Sequence, residues 1–347
     1  MIRAKLAQLG YFLTLALLFH PFFIIIFRLM AFDTVPRDDY ARYLLWLLHE
    51  PGAAFPGSLY GYRILSVLVA APFYYGLPAL PLTNLPTSLD PNYLKATAAL
   101  AAVSYLAMVA GAMMAYRLVV VRYARPPVEG FTAAAFILLC ETYAAFFGID
   151  PLAFLLIIYA FCVIDRIWLF AAIMAASVLF NEKVLIVFAI WVSLRFVFAI
   201  PDSSRLFLPA AERSFFGTRL IVVGTAVAAY VAMLAIVRLE GHSEQLDANA
   251  YIPSLLQNMV ATVTTPRGLI LNILPCALLA AIVWWNWRIL NRRRCGVYAP
   301  LDLLVIPAVV VVTLVLTQFY QVGRIVMHAA PLFILPVSMG LGTWLRR

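Results

Sequence analysis

The sequence predicts an all-α, polytopic transmembrane helix bundle, and three observations predict it. Hydrophobic residues make up 65% of the 347-residue chain and charged residues only 12%. The mean hydropathy is +0.96. The apolar residues fall in successive runs of spanning length, with basic clusters between them. Soluble domains are about half apolar and about a quarter charged. A soluble shape of this size could not hide so much apolar surface. The same figures exclude disordered, collagen-like and disulfide-scaffold classes.

The chain reads as a single integral membrane domain over residues 1–347 with about ten or eleven spans. The first run, 6–30, follows a basic MIRAK start and lacks a small-residue cleavage site. It reads as the first membrane helix, its N-terminus in the cytoplasm, and not as a cleaved signal. His20-Pro21 falls inside it and should kink it. Residues 31–62 form the first extracytoplasmic loop, with Asp33, Asp38, Asp39 and Glu50 beside Arg37 and Arg42. Its apolar stretch Tyr43–Leu48 is too short to span and reads as an interfacial helix lying on the bilayer surface. Residues 62–80 are long enough to cross, but Pro72, Gly76 and Pro78 favour a broken, re-entrant segment.

Further apolar runs cover 94–117, 129–147, 151–166, 168–181, 184–200, 219–238, 268–288, 299–317 and 326–344. Arginines at 122, 125, 166, 195, 205, 213, 219, 292–294 and 346–347 lie between or after them. If these are cytoplasmic and 62–80 returns to its own side, the alternation closes on ten spans with both termini inside. The net charge of +9 then reflects topology rather than nucleic-acid binding. The other side holds Asp150, Glu182 and most remaining acids, with a minority of cations that includes Arg63, Lys183 and Arg324. These cations run against the positive-inside bias, and binding an anion is one reason for them. A later extracytoplasmic loop, 239–267, is able to cover that face.

Several nucleotide and metal chemistries lack support. There is no GxGxxG, P-loop or HExxH pattern. The four cysteines, Cys140, Cys162, Cys276 and Cys295, form no CxxC pair and read as small core residues. Five other segments carry candidate chemistry. RDDYARY spaces Asp39 four residues before Tyr43, on one helical face, with Asp38 alongside. A carboxylate there is either a general base for a hydroxyl or a solvated capping acid. Arg63, in YGYRIL, either snorkels or clamps a phosphate. Asp150 marks a short break before Pro151, as a site residue or an ordinary cap. Asn181, Glu182 and Lys183 interrupt two apolar halves and read as the tip of a helical hairpin. The two charges mark a site or pair with each other. Arg324 and His328, four apart, share a helical face, with His328 either functional or a hydrogen-bonded core histidine. Glu141, the deepest acid, is expected to pair with a neighbouring helix.

At these residues the sequence resembles the bacterial, polyprenyl-phosphate-sugar-dependent GT-C glycosyltransferases. The resemblance rests on Asp39 and Tyr43 in the first outer loop, the Tyr62-Arg63 entry to YRILSVLVA, and the Asp150-Pro151 break. It rests also on Phe180-Asn181-Glu182-Lys183, with its two charges in reversed order, and on Arg324 ahead of Pro331. It spans most of the chain in order, on short and degenerate motifs. It implies a GT-C-like bundle and inverting transfer of a hexosyl or pentosyl group from a polyprenyl-phosphate donor to a glycan or lipid acceptor at the extracytoplasmic face. It implies Asp39 as general base, with Asp38 and Asp150 as the other carboxylates that would serve. Asp150 would orient the acceptor. Arg63, Lys183 and Arg324 would hold the donor phosphate, with His328 assisting the leaving group. Tyr43, Tyr62 and Glu182 would support them. No cofactor is demanded; some relatives use a divalent metal, which Asp39 and Asp150 could bind. The expected partners are the donor, the acceptor and membrane lipids, with no nucleic acid. The high Arg-to-Lys ratio and many alanines suggest a GC-rich bacterial genome, hence an inner-membrane location. Rival readings are a transporter or flippase of lipid-linked sugars, a polysaccharide polymerase or ligase, and a GT-C-like subunit without activity.

Overall fold

A computed structural model of the chain describes residues 17, 20, 21, 24, 39–53, 63–77, 90–145, 150–197, 213–239, 256, 257, 259–292, 304–317 and 322–345. Apart from four residues, the first apolar run lies outside these residues, as does the stretch 240–255 of the later loop. All regular structure among the described residues is helical, with no strand. Helix α1 is Asp39–Leu47, followed by the short α2 (Ile64–Leu68) and α3 (Ala71–Gly76). Helix α4 (Pro91–Arg117) runs on into a π-helical turn, Leu118–Arg122. Then come α5 (Pro127–Ala145), α6 (Asp150–Cys162), α7 (Ile167–Phe180), α8 (Glu182–Val197) and α9 (Arg213–Leu239). A short helix, Pro266–Gly268, and a second π-helical turn, Leu269–Ile273, lead into α10 (Leu274–Arg292). Helices α11 (Val305–Thr317) and α12 (Val322–Met327), a 3-10 turn (Ala330–Phe333) and α13 (Ile334–Leu345) complete the set.

Each apolar run beyond residue 90 overlaps one or more of these helices, and the runs 268–288 and 326–344 are each divided among several. Among the described residues, three stretches are long and apolar enough to cross a membrane: Pro91–Arg122, Ser214–Ile236 and Ile325–Gly342. Their places in the assembly differ. The most apolar part of Ile325–Gly342 is 94% buried, so it forms the centre, whereas that of Ser214–Ile236 is 17% buried and forms the rim. Helix α4 starts where its sequence says it should. The Asp90 carboxylate accepts the Asn92 N–H at 3.0 Å, and Pro91 occupies the first turn, where no donor is lost.

Two expectations in the first third of the chain meet different outcomes. The described part of 62–80 is two short helices separated only by the turn Val69-Ala70, with Pro72 in the first turn of α3, while Pro78 and the end of the segment lie outside the described residues. The expected short helix exists as α1, and its apolar face is covered by protein. Tyr40, Ala41, Tyr43 and Leu44 recur at helical spacing and are buried, while Arg42 and Trp46 are exposed. Val67 of α2, Ala70 of the turn after it and Leu100 of α4 supply protein surface that covers that face.

The two ends of the assembly carry different charges. At one end, the Arg219 guanidinium donates to the carbonyls of Ile164 (Nε 3.1 Å, Nη2 2.9 Å) and Asp165 (Nη2 3.2 Å). Arg122 binds the Cys162 carbonyl and pairs with Asp165. Cations at the closing turn of α6 satisfy its orphan carbonyls and oppose the negative end of its dipole. Arg125 and Glu129 pair at the same end, at 2.7 Å. The opposite end of α6 begins with Asp150 and faces the start of α8.

Small residues let helices approach where polar side chains lie between them. Helix α13 packs on α5 and α10. A Cβ at Gly342 would collide with Glu129 Cγ, and one at Gly340 with Asn286. The Thr132 hydroxyl of α5 also donates to the Ser338 carbonyl of α13 at 3.3 Å. Replacing Gly342 by Val should therefore overpack this seam and cost about 1–3 kcal/mol. The thermal unfolding midpoint of the purified protein in detergent should fall; an unchanged midpoint would mean that the seam is loose.

Candidate functional site

A single residue reverses the chain between α7 and α8. Asn181 is extended (φ −168°, ψ 118°). Its N–H closes α7 on the Ser177 carbonyl at 2.9 Å, and its side-chain oxygen accepts the Lys183 N–H at 3.1 Å, capping α8. Glu182 and Lys183 are consecutive in the first turn of α8, so their side chains diverge by about 100° around the axis. Each finds a partner on another element.

Lys183 turns toward α6. Its ammonium pairs with Asp150 Oδ1, and Asn181 Nδ2 donates to that same oxygen at 3.4 Å. The other carboxylate oxygen faces His328, with Nε2 3.8 Å from Oδ2. The His328 ring lies 4.6 Å, centroid to centroid, from Phe154, tilted by 39°. Asp150 and His328 are wholly buried, and Lys183 and Asn181 nearly so. The site residues thus come from the α6 start, the α7–α8 break and the turn after α12.

Glu182 turns toward α2. The Arg63 guanidinium holds its carboxylate in a two-point grip, Nε to Oε2 at 3.0 Å and Nη2 to Oε1. A forked grip of this kind fixes orientation as well as charge. Arg63 Nη1 also donates to the Tyr40 hydroxyl, which ties α1 into the cluster. The Ser66 hydroxyl donates to the Phe180 carbonyl and pins α2 to the last residue of α7. The two carboxylates are matched by two cations, the arrangement that makes buried charge tolerable.

The structure thus brings together Asp150, Lys183 and His328, and beside them Arg63 and Glu182. Glu182 and Lys183 each have a partner on another element: Arg63, just ahead of α2, and Asp150 of α6. Tyr43 is buried on α1 and stacks on Trp46, with centroids 5.8 Å apart and planes 17° from parallel. Burial pushes its phenol up to about 12, so it stays protonated at neutral pH. Asp39 opens α1, directly before Tyr40, and its side chain lies outside the described structure. Arg324 lies on α12 one turn before His328, and its side chain is likewise outside. Asp38 and Tyr62 are outside the described residues.

Sequence reasoning assigned no role to Tyr40, Ser66 or Asn181. Only Asn181 left a signal, as a polar residue between two apolar halves. The expected helix-to-helix pairing of Glu141 is not found. Both its oxygens are buried without a hydrogen-bond partner among the described residues, and they press into the space left by Gly111 on α4. Of the described cysteines Cys140 is buried and Cys162 and Cys276 are partly buried, all with free thiols, and Cys295 lies outside the described residues.

Among the described residues no group of three His, Cys, Asp or Glu side chains is placed to hold a divalent metal. Asp150 Oδ1 is held by the Lys183 ammonium, and the side chain of Asp39, the other carboxylate the sequence offered for a metal, lies outside the described residues. The cluster can act electrostatically, with oriented cations near a carboxylate and an imidazole in a buried site.

Removing one partner of a buried ion pair strands the other. Asp150→Asn and Lys183→Met should each lower stability by about 3–5 kcal/mol. The double variant should lose less than the sum of the two. Denaturation of the purified protein in detergent measures all three; strictly additive losses would show that the two residues do not interact.

The chain matches no family model, no curated protein and no solved structure.

Proposed function

We propose that the chain is an inverting GT-C-type glycosyltransferase, moving a sugar from a polyprenyl-phosphate donor to a glycan or lipid acceptor. One observation carries the reading. Tyr40, Arg63 and Glu182 form a continuous bridge from the helix that Asp39 opens to the buried Asp150–Lys183–His328 group. The resemblance seen in the sequence assigns roles to both ends of that bridge. In this reading the helices form a polytopic bundle in the bacterial inner membrane, of ten spans if 62–80 is re-entrant. The cluster faces the extracytoplasmic side, and the arginine-rich end of α6 faces the cytoplasm.

The residue chemistry suits the reaction. The acceptor hydroxyl is a weak nucleophile, and Asp39 takes its proton as its oxygen attacks the anomeric carbon. The bond from that carbon to the phosphate oxygen breaks on the opposite face, so configuration inverts. The electron pair leaves with the polyprenyl phosphate. Arg63, Lys183 and Arg324 meet the charge that develops there, in a site where water does not screen them. Glu182 and Asp150 hold the first two cations in place beforehand, so little reorganisation is left to the reaction step. His328 stands beside Asp150 at the same group.

A second reading has its own observation. Arg63 and Lys183 each already grip a carboxylate, which also suits a helical subunit whose buried pairs only fasten segments together. Transfer of radiolabelled sugar from polyprenyl-phosphate donors, by membranes containing the protein, separates the two. Wild type should transfer, and Asp39→Asn at equal expression should lose about 10²–10⁴-fold. Equal rates would remove Asp39 as the base and move the question to Asp38 and Asp150. No transfer from any donor by the wild type would leave the fastening or transport readings in place of the enzyme.

A further inference from the structure

At the end of the assembly away from Asp150, the closing turn of α6 gathers arginines. Arg122 spans the gap from α4 to the Cys162 carbonyl and to Asp165. Arg117 ends α4 about one turn before Arg122, which closes the π-helical turn that follows. Arg166 follows Asp165 directly, and Arg117, Arg122 and Arg166 are all exposed. Guanidiniums outnumber carboxylates here among the described residues: Arg117, Arg122, Arg125, Arg166 and Arg219 against Asp165 and Glu129.

Large apolar side chains are exposed beside these charges. Trp168, two residues after Arg166, is 85% exposed, and Val121, next to Arg122, is 68% exposed. Leu169 continues the apolar surface along α7. A soluble anion would use the guanidiniums and leave the indole in water. A partner protein would have to bring both acid and grease in one small place. An amphiphile with an anionic head and an acyl chain satisfies both at once, its phosphate on the arginines and its chain along α7.

The geometry points to a binding site for an anionic phospholipid at Arg117, Arg122, Arg166 and Trp168. The site is independent of the proposed transferase reaction and lies at the other end of α6 from it. Its ligand is a bilayer lipid, neither donor nor acceptor. Arg122 has the further task of holding Asp165, so the test leaves it in place.

The purified full-length chain in detergent is titrated with phosphatidylglycerol, phosphatidylcholine or inorganic phosphate. Bound lipid is read by native mass spectrometry, and stability by the thermal unfolding midpoint. Phosphatidylglycerol should bind and raise the midpoint more than the other two. Arg117→Gln/Arg166→Gln should bind it roughly tenfold or more weakly and lose the midpoint rise. Trp168→Ser should weaken retention of the same lipid. If the double variant fails to fold, Arg166→Gln alone gives the reading at one exposed position. Equal effects of phosphatidylcholine and phosphatidylglycerol, full retention in the variants, or a rise reproduced by inorganic phosphate would each overturn the site.

Discussion

A lysine and an aspartate sealed from solvent fix the relative positions of three separate stretches of this chain. Lys183 belongs to the start of α8, Asp150 to the start of α6, and the imidazole facing Asp150 to the turn after α12. Neither charge tolerates the loss of the other, because an unpaired ion in an apolar interior is far costlier than the pair. The helix starts are thereby locked in register, and their flanks inherit the constraint. Arg63 can grip Glu182 only because Lys183 has already decided which way the first turn of α8 points. Tyr40, and with it α1, follows Arg63.

The rest of the packing answers to the same logic. Several buried polar groups sit where a helix stops or where a glycine leaves room. Glu129 and Asn286 lie against Gly342 and Gly340, and Glu141 against Gly111. Small residues bring helix backbones close, and a side chain from the neighbour fills the vacancy. The ends of α6 are treated oppositely. An acid stands at its amino end and arginines at its carboxyl end, each opposing the local dipole. One short helix thereby separates the buried cluster from the basic surface.

Much of this was legible before any coordinates, for reasons of local chemistry. Apolar run length locates the helices, Pro72 marks the first turn of α3, and Asp150-Pro151 announces the start of α6. Asn181-Glu182-Lys183 stood out because polar residues rarely interrupt so long an apolar stretch. Partner choice was not legible. Arg63 and Glu182 are 119 positions apart, and only the rotation of α8 after Asn181 brings them together. The same holds for the interfacial helix. Its amphipathic pattern is the same whether the covering surface is lipid or protein, and only the presence of α2 and α4 decides. Glu141 escaped for the converse reason: a carboxyl in an apolar run implies a partner, and the answer was a glycine on α4 rather than a polar group.

The one-residue reversal at Asn181 leaves the α7–α8 junction without slack. Surface loops usually absorb insertions, because added residues cost little closure entropy and can bulge into solvent. Here the residue that ends one helix also caps the next and touches Asp150. A residue added between 180 and 182 would turn the following helix by about 100° and carry Lys183 away from its partner. This hairpin tip is therefore a poor place for an epitope or fluorophore. Length variation in the chain must be absorbed elsewhere.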